Sequence, residues 1–225
     1  MRTILSSKYL LKICLLLICY NISVILIDGL WMNQARKIYT LPQELISYQG
    51  KVFFFTGLFS ILCALSGTLI LRKYGWLKTA LAIPIIFAVI GSIFFISVII
   101  NKTDPHALEF ITAPLTIIII IGAAANIFGK GAKYALFDST KEMAYIPLDA
   151  ELKTKGKAVV DILGIKIGRL SGSGLEFLFL MSAPGSGYDQ VAHLLFFAFI
   201  IVNIIWISSL VSLSKDYNIL ARKQP

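Results

Sequence analysis

The chain has 225 residues, of which 57% are hydrophobic and only 15% charged, with a mean hydropathy of +0.82. Soluble domains carry about 25% charged residues, so this composition excludes a water-soluble globule and makes the bilayer the solvent. The formal charge of +9 invites a nucleic-acid reading, yet Lys and Arg gathered on cytoplasmic loops explain it without one.

The first apolar run, Leu10–Trp31, follows Arg2, Lys8 and Lys12. It imitates a secretory signal, but Asp28, Trp31 and Met32 stand where small cleavage-site residues belong, so a retained span is expected. Asp28 falls near the external end of this run, either as an interfacial anion beside Trp31 or as a buried functional charge. Residues 32–51, with Pro42, read as an external connection. The second and third runs are Val52–Leu71 and Leu77–Ile100. A fourth, Pro114–Phe128, reaches spanning length when continued through Lys133. Two more, Ala158–Met181 and Val191–Leu213, complete the set.

The chain thus reads as one all-α bundle over 1–225 with six transmembrane helices, at about 10–31, 52–71, 77–100, 114–133, 158–181 and 191–213. Each run approaches the roughly 20 residues that a hydrocarbon core of about 30 Å requires. Helices are the expected form because backbone groups in lipid must be satisfied within the segment, and the alternation of barrel strands is absent. Cys14, Cys19 and Cys63 lie in apolar runs without metal-ligand spacing and read as small packing residues.

Charge sets the expected orientation. With the N-terminus cytoplasmic, that side collects Arg2, Lys8, Lys12, Arg72, Lys73, Lys78, Lys130, Lys133, Lys141, Lys153, Lys155, Lys157, Lys215, Arg222 and Lys223. The opposite side has Arg36, Lys37, Lys51 and Lys102. Both termini are therefore expected in the cytoplasm. Residues 129–157 stand out as a loop too rich in charges and aromatics for a plain connector.

Signatures of catalysis are scarce. His106 and His193 fall near the external ends of spans and read as interfacial. Neither G-x-S-x-G nor H-E-x-x-H occurs. The segment Gly168–Gly174 lacks the order of a phosphate loop, and its small residues fit close helix packing. The fifth span is unusual in carrying Lys166, Arg169, Ser173 and Glu176 on one helical stripe. This is either a salt-bridge ladder against Glu176 or the wall of a polar path for an anionic solute. The absence of an acid one turn from either cation favours the path. Asn126, Lys130 and Lys133 form a second polar stripe on the fourth span, with snorkelling lysines as the simpler alternative. Two basic stripes on separate helices suit a polyphosphate held in a partly desolvated cavity. Tyr134, Phe137 or Tyr145 would offer a stacking surface for a base. Asp161 lies on another face, in position to pair with Lys157.

The run Lys141-Glu142-Met143-Ala144-Tyr145-Ile146-Pro147-Leu148-Asp149 is the most specific motif in the chain. With Asn126-Ile127-Phe128, Lys130, Ala132-Lys133-Tyr134, Leu136-Phe137-Asp138, Lys153, Lys155-Gly156-Lys157-Ala158 and Asp161, it resembles the ATP/ADP translocase family of plastids and obligate intracellular bacteria. Ser7-Lys8-Tyr9-Leu10, Tyr20-Asn21-Ile22-Ser23, Trp31 and Tyr74-Gly75-Trp76 extend the similarity over nearly the whole chain. Three positions depart from that pattern: Asp28 stands for Glu, Gly168-Arg169-Leu170-Ser171-Gly172 for Gly-Lys-Ser-Gly-Gly, and Glu176 for Gln.

The resemblance implies the C-terminal half of a major-facilitator-type carrier, with the substrate site between two halves. It implies ATP/ADP exchange by alternating access in a bacterial inner membrane, with no cofactor and no nucleic-acid partner. Lys130, Lys133 and Arg169 would attract phosphates and Lys166 would add field. Asn126 and Lys141 would join the substrate site, and Asp28 and Glu176 would shape selectivity or pair with the cations. A gating loop would include Lys155, Lys157 and Asp161. The missing half would come from a first-half chain or a second copy. Proton-coupled uptake, exchange of other nucleotides or NAD, and a non-transporting remnant are the alternatives.

Overall fold

The computed structural model describes residues 7–103, 114–150, 152–182 and 187–221, and among them there are helices and short connections but no strand. Helix α1 (Lys8–Ile38) starts with Ser7 as its N-cap and forms the centre of the bundle, burying Leu10, Ile13, Leu26 and Leu30 completely. It also buries the polar Asn21, Ser23 and Gln34. Such a helix, apolar nearly all round, is one that other helices surround.

Helix α2 (Pro42–Ile86) begins with Pro42 in its first turn, where the missing N–H costs nothing. Gly75 interrupts it with φ +77°, a conformation that any side chain would strain. A π-helical turn at Phe87–Gly91, just past Pro84, leads into α3 (Ser92–Thr103). Helix α4 (Pro114–Ala132) continues through a π turn at Lys133–Phe137 into α5 (Asp138–Ala144). A third π turn, Leu152–Gly156, precedes α6 (Lys157–Ser182), and α7 (Tyr188–Ala221) closes the chain.

The break at Gly75 reverses the chain. Before it, Tyr48 donates to the Ile119 carbonyl and Gly67 packs on Ala135, so α2 runs alongside α4 in the same direction. After it, the ring of Phe87 covers Gly129 and that of Phe94 covers Gly122, in the opposite order. Among the described residues, four helical runs are long and apolar enough to cross a membrane: Lys8–Ile38, Pro42–Thr103, Pro114–Ala144 and Tyr188–Leu220. The chain is therefore an integral membrane protein. Helix α6, with 26 residues, extends about 39 Å but carries Lys166, Arg169 and Glu176.

The helices outrun the expected spans. Residues 32–51 are not a long connection, because α1 continues to Ile38 and α2 starts at Pro42. Arg36 and Lys37 in the last turn of α1 complement its negative end. The expected loop after Lys133 is likewise helical through Ala144. Asp28 is consequently not at a helix end: ten residues of α1 follow it, about 15 Å of helix.

Two ends of the bundle are tied. At the basic end, Tyr9 donates to the Ala144 carbonyl at 2.7 Å and Lys12 pairs with Asp216 at 2.5 Å. There too Trp76 donates to the Thr140 carbonyl and stacks on Tyr217. At the other end Lys37 and Gln34 both donate to Asp189. His193 is exposed on α7, and His106 lies outside the described residues. Between the ends, Tyr20, Phe87, Phe137 and Trp206 form an aromatic cluster that backs one wall of the site.

Candidate functional site

Helix α6 meets α1 through glycine. Gly164, Gly168 and Gly172 are buried at one-turn intervals. A Cβ on Gly168 would stand 2.8 Å from Asn21 Cβ and 2.9 Å from the Ile18 carbonyl oxygen. Small residues at this spacing let two backbones approach closely. The opposite side of α6 is turned away from α1, and one flank opens into a cavity.

That cavity, of about 440 Å³, lies between α1, the α4–π turn and α6. Tyr20, Asp28, Lys130, Lys133, Tyr134 and Arg169 provide its polar wall. Lys130 donates to both oxygens of Asp28, at 2.7 and 2.9 Å, and Asn126 stands within hydrogen-bonding reach of the same carboxylate. Lys133 pairs with Asp138 at 2.7 Å. Its ammonium also lies 5.8 Å from the centroid of Tyr20 and 4.7 Å from that of Tyr134, within cation–π range. The π turn begins at Lys133, so an extra residue in the turn presents Lys133 and Tyr134 together.

Arg169 has no acidic partner among the described residues. The cavity wall therefore holds three cations and one anion, with Arg169 the cation left to bind something else. A guanidinium there offers paired, planar donors suited to a phosphate. Of the three aromatics considered for a base, Tyr134 is 67% exposed and lines the cavity, whereas Phe137 and Tyr145 are each 1% exposed. Tyr134 alone of the three is available.

Other expected site residues stand elsewhere. Lys166 and Ser173 are exposed on the outer side of α6, and Lys166 has no acidic partner among the described residues. Glu176 does not close a ladder with Lys166 or Arg169. It turns against α1, where its Oε1 is buried without a hydrogen-bond partner and fills the space beside Gly29. Tyr188 is in hydrogen-bonding contact with the same carboxylate.

Lys141 belongs to a separate cluster at the basic end. It donates to Asp161 at 3.1 Å, as does the Tyr145 hydroxyl at 3.3 Å. Asp161 is thus held by Lys141, and Lys157 pairs with Glu142 at 2.5 Å instead. The cause is the return of the chain after Ala144, which lays Lys141 and Tyr145 over the start of α6. Burial and the Asp161 carboxylate push the Tyr145 phenol well above its ordinary range, so it stays a donor. Lys155 is exposed in the preceding π turn. Tyr20 was not singled out by its side-chain chemistry, although it joins the aromatic core to the cavity; the adjacent polar Asn21 in an apolar run is the local signal.

The family profile described as TLC ATP/ADP transporter matches residues 1–217. A protein named ADP,ATP carrier protein 4 from Rickettsia bellii is 42% identical over 221 residues, covering 96% of this chain and 42% of the relative. ADP,ATP carrier protein 4 from Rickettsia felis is 40% identical over 221 residues, covering 96% and 43%. ADP,ATP carrier protein 1 from Rickettsia prowazekii is 35% identical over 225 residues, covering 99% and 45%. The chain spans less than half the length of each of these relatives. No solved structure matches it.

Proposed function

The chain belongs to the TLC ATP/ADP transporter family, and from that premise we propose that it supplies one half of a membrane carrier exchanging ATP for ADP. The observation that carries this reading is the convergence of Lys130, Lys133 and Arg169 on one cavity beside Tyr134. Lys133 and Arg169 hold the phosphates, Tyr134 stacks on the base, and Asp28 keeps Lys130 neutralised while the cavity is empty. Separating these contacts over two helices suits alternating access, because a rocking motion then changes both at once.

The chain crosses the membrane six times, with the reversal at Gly75 dividing Pro42–Thr103 into two crossings and α6 supplying another. It sits in a bacterial inner membrane with both termini cytoplasmic, as the concentration of Lys and Arg at the basic end favours. The outer side of α6, bearing Lys166 and Ser173, faces the complementary half, which is a second chain, a second copy or a further part of a longer polypeptide. Cations on a spanning helix face protein or water rather than lipid.

Exchange of labelled ATP into ADP-loaded proteoliposomes, with the complementary half present, tests the proposal. Lys133→Ala and Arg169→Ala should each abolish most uptake. Absence of exchange in the assembled carrier, or full uptake in both variants, would overturn it.

A further inference from the structure

Another cavity lies at the basic end, outside the site described above, where the chain turns at Gly75. It has a volume of about 320 Å³ and is lined on α2 by Tyr74, Gly75, Trp76, Leu77 and Lys78, and on α7 by Ser214 and Asn218. No acidic residue lines it. Arg72 and Lys73 precede the turn, and Lys215 follows Ser214 on α7; all three are exposed, as is Lys78. None of these four cations has an acidic partner among the described residues. The acid nearest in sequence, Asp216, is already paired with Lys12 at 2.5 Å.

The frame of the cavity is fixed. Trp76 is held at one face by the stack on Tyr217, with ring centroids 5.2 Å apart, and at its edge by its hydrogen bond to the Thr140 carbonyl. Lys73 sits 5.4 Å from the Tyr74 ring centroid. Away from the turn, α2 presents exposed Leu65 and Leu69. The cavity thus joins unneutralised positive charge, hydroxyl and amide donors and interfacial aromatics to an apolar helix surface.

We propose that this cavity binds the phosphodiester headgroup of an anionic phospholipid. Lys78, with Arg72, Lys73 and Lys215 around it, supplies the charge. Ser214 and Asn218 donate to the phosphate or glycerol oxygens, and the acyl chains lie along the exposed leucines of α2. Basic recesses between membrane helices next to an apolar surface suit this class of ligand, whereas a soluble anion gains nothing from that surface. Isolated snorkelling lysines would give only a diffuse attraction.

Native mass spectrometry of the full chain in detergent, titrated with phosphatidylglycerol or phosphatidylcholine, tests the proposal. Phosphatidylglycerol should remain bound under conditions that strip phosphatidylcholine. Lys73→Gln/Lys78→Gln should weaken phosphatidylglycerol binding by about fivefold or more per cation removed, and Asn218→Ala should weaken it further. Lys8→Gln/Lys153→Gln removes equal charge from elsewhere at the same end and should leave binding unchanged. Equal retention of both lipids, equal losses in the two double variants, or displacement of the lipid by glycerol phosphate would each overturn the proposal. Circular dichroism of each variant separates loss of binding from loss of fold.

Discussion

Lys130 and Asp28, 102 residues apart in sequence, meet in a two-pronged ion pair across the contact between α1 and α4. The side chains are 27% and 36% exposed, so the pair is neither buried outright nor free in solvent. Breaking a buried pair costs about 3–5 kcal/mol, and the open cavity lowers the cost here to roughly 1–3 kcal/mol. Asp28→Asn and Lys130→Met should each lower stability by that amount in detergent thermal melts. The double variant should recover much of the loss. A double variant less stable than either single one would show that the pairing is not what matters.

Gly168 and Gly174 are separated by less than two turns and predict opposite outcomes. A methyl at Gly168 would meet backbone atoms of Ile18 at 2.9 and 3.0 Å, which cannot swing aside. Overpacking of that kind costs about 1–3 kcal/mol. A methyl at Gly174 meets nothing within 4 Å. Gly174→Ala should be neutral, or stabilising by about 0.5–1 kcal/mol from helix propensity. Melting temperatures of the two variants, measured side by side, check both.

Tyr134 and Arg169 should be separable by ligand. Stacking on an aromatic ring is worth about 1–3 kcal/mol per base, so Tyr134→Ala should raise the KM for adenine nucleotide roughly tenfold or more while Tyr134→Phe retains it. Inhibition of exchange by inorganic tripolyphosphate, which has no base, should be unchanged in Tyr134→Ala. The same inhibition should weaken in Arg169→Ala. Equal weakening in both variants would remove the distinction between a base site and a phosphate site.

The two ion pairs at the basic end should differ in worth. Lys141 is 9% exposed against Asp161, while Lys157 and Glu142 are 40% and 46% exposed. Asp161→Asn leaves a shielded ammonium with a weaker partner and should cost about 2–3 kcal/mol. Lys157→Ala should cost less than about 1 kcal/mol despite its shorter contact. Chemical denaturation in mixed micelles would rank them.

Much of the helical content was legible because hydropathy reports directly on residues that contact hydrocarbon. The ends of the helices were not, since Met32–Ile38 and Pro42–Lys51 are polar yet helical, and hydropathy says nothing about helix continued into water. The polar stripe of Asn126, Lys130 and Lys133 was legible from helical spacing, and the structure brings its two lysines to the cavity with Arg169. Their partners were not. Asp28 and Lys130 come from different helices, and periodicity relates residues only within one. For the same reason Asp161 was matched to Lys157, its neighbour one turn away, rather than to Lys141 on the returning segment. The direction taken by Glu176 was equally hidden: Gly29 on α1 makes the space it enters.

The seam between α1 and α6 is built of backbone pressed against backbone, with glycines every four residues along one edge. Side chains of α1 sit in the notches the glycines leave, Leu17 on Gly164, Asn21 on Gly168 and Ile25 on Gly172. Translating α6 by one glycine interval, about 6 Å, would set Gly168 at the level now held by Gly164 or Gly172. Two of the three levels would again find a glycine, but the third would meet Val160 or Glu176 where there is room only for a hydrogen atom. The contact is thus held to a single register, and Arg169 with it to one height on the cavity wall.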